Sequence, residues 1–216
     1  MLFSNIQPHE IEKILECICA RRVSYKKDEI IIEAGSVTEE FGILLEGSAR
    51  SVKWDAGGKL IIITMVEKNG AIGVLLAANP GCVSPLTVQA TTDTVVLQIP
   101  YTGLITRCAK NCPRHERLLQ NFIAIVAAKG LELHERINCL LEPSVRDKIL
   151  TYLSKISREK SADTFNIPIN RNIMAEYLNV ERSALSRELS RMKKDGLIDY
   201  SKNKFSILTR IKSSYP

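Results

Sequence analysis

Residues Ile169–Leu208 read INRNIMAEYLNVERSALSRELSRMKKDGLIDYSKNKFSIL, and the rest of the chain is best understood from this stretch. Ile173, Met174, Tyr177 and Leu178 form a short apolar pattern that stops at Asn179-Val180. A second pattern starts after Glu181 and runs through Leu185, Leu189 and Met192. Spacings of three and four predict two helices, each with one buried face. Ala175 falls where the helices would touch, and Asn179 tolerates the left-handed conformation a tight turn needs. Gly196, after Lys193-Lys194-Asp195, marks a helix stop with cations near the negative helix end. Leu197–Tyr200 and Phe205–Leu208 then predict two short strands around Ser201-Lys202-Asn203-Lys204. The sum is a helix-turn-helix followed by a basic hairpin, or wing.

The second helix carries the chemistry. Arg182, Ser183, Ser186 and Arg187 fall at its start, opposite Leu185 and Leu189. Such a helix end suits the DNA major groove, where Arg pairs bidentately with guanine O6 and N7. Arg191, Lys193, Lys194, Lys202 and Lys204 are better placed for phosphates, which position a protein without specifying sequence. Arg171, opening the first helix, completes the candidate contact set.

Charge is distributed to match. The net charge of +6 divides unevenly: from Pro143 onward there are 15 Lys and Arg against 8 Asp and Glu, and before it 15 against 16. The excess positive charge lies wholly in the segment holding the two helices, which implies a polyanionic partner for that segment alone. No apolar run reaches the roughly 18 residues of a membrane span, and no amphipathic anchor or lipidation signal accompanies the charge. The opening MLFSNIQPHEIEKILEC lacks the features of a secretory signal, so a cytoplasmic location with six reduced cysteines is expected.

Upstream, Pro8–Ala20 reads as a helix. Between Val23 and Pro100 come short β-rich runs: Glu29–Glu33, Phe41–Glu46, Ala49–Trp54, Lys59–Val66, Ile72–Leu76, Leu86–Thr91 and Thr94–Ile99. Asp55-Ala56-Gly57-Gly58 is a hairpin turn, and the spacing of the runs predicts a jelly roll or related barrel. Tyr101–Ala109 reads as helical, and a long helix is predicted from Pro113 to Leu141. Along it Leu119, Ile123, Val126, Gly130, Leu133, Ile137 and Leu140 recur by alternating fours and threes, about three heptads of an a/d seam that predicts a homodimer. A second stripe, Leu118, Phe122 and Ile125, faces another way and would pack on the barrel. Glu142-Pro143 breaks the pattern and predicts a hinge. Ser144–Ser157 reads as a helix, and Phe165–Ile169 as a strand able to join the wing. Three segments follow: a sensory barrel over residues 1–112, a dimerisation helix over 113–142 and a winged helix-turn-helix over 143–216.

In this order the elements resemble the Crp–Fnr family of bacterial transcription regulators over nearly the whole chain. VERSALSREL (Val180–Leu189) and KKDGLI (Lys193–Ile198) carry the most specific match. Arg182, Ser183 and Arg187 fall on the family's base-reading positions, and Ser186-Arg187 matches the Ser-Arg pair of Fnr-like members. Glu188 departs from the pattern, standing where an apolar residue is preferred. The barrel resemblance rests on Phe41–Gly47, Gly57-Gly58-Lys59 and Gly70-Ala71-Ile72-Gly73. The resemblance implies an α+β fold: a cyclic-nucleotide-binding-like β jelly roll, a long dimerisation helix and a winged helix-turn-helix. It further implies double-stranded DNA with a palindromic operator and RNA polymerase as partners. Cyclic-AMP-binding members hold the ribose with a Glu and the phosphate with a later Arg. Here those positions read Val74, after Gly73, and Ser84, followed by Thr87 in the same pocket. Each lost charge-assisted bond costs on the order of 1.5–3 kcal/mol, which argues against cyclic AMP as the effector.

Other chemistry finds little support. Cys17-Ile18-Cys19 lies on a predicted helix, where neighbours point apart, so an iron–sulfur cluster is not expected. Cys108, Cys112 and His115 have metal-ligand spacing, but Pro113 interrupts them. No nucleophile elbow, phosphate-binding Gly-rich loop or carboxylate pair is visible, so neither catalysis nor a resident metal or cofactor is expected. The competing reading is a redox- or ligand-sensing interaction module that does not read DNA sequence.

Overall fold

The computed structural model describes residues 2–55, 57–58, 60–106, 113–167 and 169–208. They group into two compact units, Met1–Leu131 and Glu132–Pro216, so the long helix contributes to both.

In the first unit, α1 (Pro8–Cys17) precedes β1 (Arg21–Tyr25), β2 (Ile30–Ile32), β3 (Glu40–Glu46), β4 (Ala49–Trp54), β5 (Leu60–Val66), β6 (Ala71–Ile72), α2 (Val74–Ala77), β7 (Thr87–Ala90), β8 (Thr94–Pro100), α3 (Tyr101–Ile105) and the start of α4 (Pro113–Leu141). The strands form two four-stranded antiparallel sheets, ordered β1-β8-β3-β6 and β2-β7-β4-β5, which is the predicted jelly roll. Strand β3 is apolar on both sides because both sides are covered. Leu44, with Val96 of β8, joins the layer that includes Ala49, Val66 and Val88 of the other sheet. Phe41 and Ile43, with Leu97 and Ile99 of β8, instead meet Ile14 and Ile18, Leu104, and Leu118 and Phe122 of α4. The stripe predicted to pack on the barrel does so: Leu118 and Phe122 are buried, and the rings of Phe41 and Phe122 lie 4.7 Å apart.

Three local readings differ. Arg21–Tyr25, unassigned from the sequence, pairs with β8 as an edge strand. Ile72–Leu76, read as a strand, is one residue of β6 followed by the short helix α2, because Gly73 takes φ 69° and turns the chain. The predicted helix from Tyr101 ends at Ile105, and residues 107–112 lie outside the described ones.

The second unit holds the end of α4, α5 (Val145–Lys160), β9 (Thr164–Asn166), α6 (Arg171–Leu178), α7 (Arg182–Lys194), β10 (Ile198–Ser201) and β11 (Lys204–Ile207). Its three-stranded antiparallel sheet has the order β10-β11-β9, so the predicted extra strand does join the wing. Ile149, Leu153, Met174, Leu178, Leu185, Met192 and Phe205 are buried at its centre. Ser144 caps helix α5, its hydroxyl oxygen accepting the Asp147 N–H.

The expected hinge at Glu142-Pro143 is bridged rather than loose. Before it, Arg136 is 4 % exposed and donates to the Tyr177 carbonyl at 2.7 Å, near the negative end of α6. Its guanidinium carbon lies 4.1 Å from the centroid of the Tyr177 ring, which in turn packs on Tyr152 at 5.2 Å. Glu135 pairs with Lys155 at 3.0 Å, and Glu142 accepts the Thr151 hydroxyl at 3.1 Å. These ties explain why α4 from Glu132 onward groups with the second unit.

Candidate nucleic-acid interface

Local sequence builds the two-helix element. The Asn170 side chain caps α6 by accepting the N–H groups of Asn172 at 2.9 Å and Ile173 at 3.1 Å. The helix ends at Asn179 with φ 50°, the left-handed turn predicted for it, and the Val180 N–H closes on the Ala175 carbonyl at 3.0 Å. Ala175 is buried, its small side chain letting α6 and α7 meet.

On α7, Leu185, Leu189 and Met192 are buried, while Arg182, Ser183, Ser186 and Arg187 are exposed. Neither Arg182 nor Arg187 makes an ion pair or side-chain hydrogen bond among the described residues. Two free guanidinium groups and two small hydroxyls therefore stand together on one face, near the positive helix end. That combination serves to recognise an anion or the polar edges of bases.

The remaining cations differ in how far they are already engaged. Lys193 pairs with Asp199 at 2.5 Å, a contact that holds the Asp199 carboxyl below its usual range. Arg171 reaches beneath the wing, its guanidinium carbon 4.6 Å from the Phe205 ring and 5.0 Å from the Tyr200 ring, and it donates to the Lys202 carbonyl at 2.8 Å. Desolvation there lowers the Arg171 pKa from its ordinary value. Arg191 lies 3.5 Å from Glu188. Lys194, Lys202 and Lys204 are exposed and without an ion pair among the described residues.

Glu188 resolves its own departure from the apolar pattern. Its carboxylate, largely buried, accepts Nε of Arg146 on α5 at 2.6 Å, and a second nitrogen of the same guanidinium reaches Asp195 at 2.7 Å. Reading the sequence missed Arg146 and Arg136, because a lone Arg on a helix announces no partner on a distant one.

In the barrel, the four candidate effector residues are all partly or fully buried. A Cβ at Gly73 would meet Ile32 Cδ1 at 2.9 Å. Val74 is buried behind it. The Ser84 hydroxyl donates to the Leu86 carbonyl at 2.7 Å, and the Thr87 hydroxyl oxygen accepts the Ala34 N–H at 3.2 Å. Neither side chain supplies the charge a cyclic phosphate requires. Buried Ser51 and Thr64, register partners across β4 and β5, are further polar groups that the sequence did not single out.

The seam residues of α4 are unevenly covered. Leu119 and Val126 touch the first unit's core, whereas Ile123 and Ile137 are 58 % and 54 % exposed. A Cβ added at Gly130 would meet nothing within 4 Å among the described residues. Leu133 and Leu140 are half-buried, and Leu131 and Leu141 add two more exposed leucines.

Cys17 and Cys19 are exposed, while burial pushes the Cys139 thiol up to about 11. Cys108 and Cys112, two of the three residues with metal-ligand spacing, lie outside the described residues. Among the described residues no group of His, Cys, Asp and Glu converges as a metal site, and no helix is long and apolar enough to cross a membrane.

A jelly roll joined by a long helix to a winged helix-turn-helix defines a class of regulators that bind DNA. Comparison with known proteins agrees. Residues 22–111 match the cyclic nucleotide-binding domain and residues 147–211 the Crp-like helix-turn-helix domain. The transcriptional activator protein FnrA of Stutzerimonas stutzeri is 25% identical over 203 residues, covering 91% of this chain and 80% of that protein. Among solved structures, FixK2 from Bradyrhizobium japonicum has a similar fold, with a TM-score of 0.67 at 21% identity over 88% of this chain and 93% of that one. The c-di-GMP-responsive global regulator CLP of Xanthomonas campestris gives 0.69 at 16% identity, over 94% and 100% of the two chains. The chain belongs to the Crp–Fnr family of transcription regulators, and its second unit carries the family's helix-turn-helix DNA-binding domain.

Proposed function

We propose that this regulator works in the cytoplasm as a homodimer that reads a palindromic DNA operator. Arg182, Ser183, Ser186 and Arg187 contact base edges in the major groove, and Arg191, Lys202 and Lys204 contact phosphates. Arg171 contributes chiefly by holding the wing against α6, with any phosphate contact secondary. One observation carries the reading: α7 buries its apolar stripe and leaves Arg182 and Arg187 exposed on the same polar face, unpaired among the described residues.

Residues 1–112 act as the sensor, 113–142 as the pairing helix and 143–216 as the DNA reader. Two copies pair along Leu119, Ile123, Val126, Gly130, Leu133, Ile137 and Leu140, and the exposure of Ile123 and Ile137 supports this. A small-molecule or redox signal sensed in the barrel, and not cyclic AMP, biases α4 and so the spacing of the two α7 helices, with Gly73, Val74, Ser84 and Thr87 lining the seat of a small effector. Because Arg136, Glu135 and Glu142 tie the end of α4 to α5 and α6, the signal crosses the helix upstream of Glu132. RNA polymerase is the partner that membership of the family implies once the operator is occupied.

Selection from a random duplex pool tests the reading. A palindrome with half-site centres about 34 Å apart is expected. Recovery of unrelated sequences would sink it.

A further inference from the structure

Arg146 is the residue whose geometry is least explained by folding alone. It sits in the first turn of α5, with its side chain 36% exposed, yet both faces of its guanidinium fork are committed to α7. Nε donates to Glu188 at 2.6 Å, and a terminal nitrogen donates to Asp195, the C-cap of α7, at 2.7 Å. The two acceptors are seven residues apart, about two helical turns or roughly 10 Å along the axis. A tie at one point would resist only separation. A tie at two points also resists rolling and sliding of α7 on α5. Roll is the motion that matters for base reading, since one residue step on a helix is about 100° and Arg187 is the immediate neighbour of Glu188. The arm of this tie that reaches Asp195 is open to water and adds little to folding stability. The planar fork of Arg, matched to two carboxylates, suits orientation better than it suits stabilisation.

We infer that Arg146 is a positioning residue that fixes the roll of the recognition helix and thereby sets base discrimination, without touching DNA itself. The inference rests on α7 reading bases. The second oxygen of Glu188 faces Arg191 at 3.5 Å, so the same carboxylate also restrains the neighbouring phosphate-directed cation. Sequence specificity in this chain thus depends on a residue of a helix outside the two-helix element.

The test compares the Kd of the full-length protein for its selected duplex and for a scrambled duplex, in wild type, Arg146→Lys and Arg146→Gln. Arg146→Lys keeps the charge but cannot span both carboxylates. It should lower the specific-to-scrambled ratio several-fold while leaving scrambled binding and the thermal midpoint near wild type. Arg146→Gln should lower the ratio further, by about tenfold, a change equal to 1.4 kcal/mol. Combining Arg146→Gln with Asp195→Asn should add little to that loss, since both remove one interaction. An unchanged ratio in Arg146→Lys and Arg146→Gln overturns the inference. Equal loss on both duplexes also overturns it, because Arg146 would then be a direct phosphate contact. A wild-type protein that fails to discriminate between the duplexes removes the base-reading assignment itself, and this inference with it.

Discussion

Arg187 and Lys204 are both exposed cations, yet they stand at positions with different consequences. Arg187→Ala should cost about 1–3 kcal/mol on the preferred operator and relax one base preference, measured by binding to a panel of single-base variants. Lys204→Ala should weaken every duplex alike and reduce the salt dependence of binding by about one phosphate contact. Arg171 falls between these cases. Its guanidinium touches two aromatic rings and the Lys202 carbonyl, so Arg171→Ala should lower the thermal midpoint as well as DNA affinity. Cys139 gives a prediction in pH. Its thiol is raised from 9.0 to about 11, so the neutral form is favoured in the folded protein. The unfolded chain therefore loses the proton first, and stability present below pH 9 declines as pH rises toward 11. Calorimetry of wild type against Cys139→Ser should show a steeper alkaline loss in wild type, and alkylation at neutral pH should reach Cys17 and Cys19 well before Cys139.

Among the elements, α4 carries two apolar stripes covered to different extents. Leu118 and Phe122 close the barrel's outer core, while Ile123 and Ile137 stay open. Ile137→Glu should therefore leave the fold intact and shift the chain to single copies in sedimentation, because the charge enters only the paired state. Gly130 separates two possibilities. Nothing lies within 4 Å of a Cβ there, so Gly130→Ala should raise stability by about 0.5–1 kcal/mol through helix propensity. A loss of pairing instead would place a partner backbone against Gly130. These stripes were legible in the sequence because a period of about 3.5 residues, sustained over about three heptads, leaves little ambiguity. Asn179 and Gly196 were legible because their φ values of 50° and 71° suit so few residues. Shorter segments gave way to context. Ile72–Leu76 has the composition of a strand, but the positive φ at Gly73 ends β6 after Ile72 and starts a one-turn helix. Arg21–Tyr25 is an edge strand with alternating exposure, and its partner β8 lies far along the chain, so no local signal marks it. In the interface, the exposed cations of α7 were readable from periodicity. The engagement of Arg171, Lys193 and Glu188 was not, since each depends on a partner from another element.

At the scale of the molecule, a near-neutral barrel unit and a basic reading unit share one helix. The charge division fits a protein in which only one end meets a polyanion. Under the proposed function, pairing along α4 would turn one reading helix into two and multiply a modest half-site preference into operator specificity, because a single body would then engage both half-sites. This requires that the two copies act together on the duplex. The mass of the complex on the selected operator, by sedimentation at low protein concentration and moderate salt, tests that requirement most directly. Two chains per duplex are predicted, with no complex of that mass on a duplex carrying one scrambled half-site. One chain per duplex, or the same mass on both duplexes, would contradict the account.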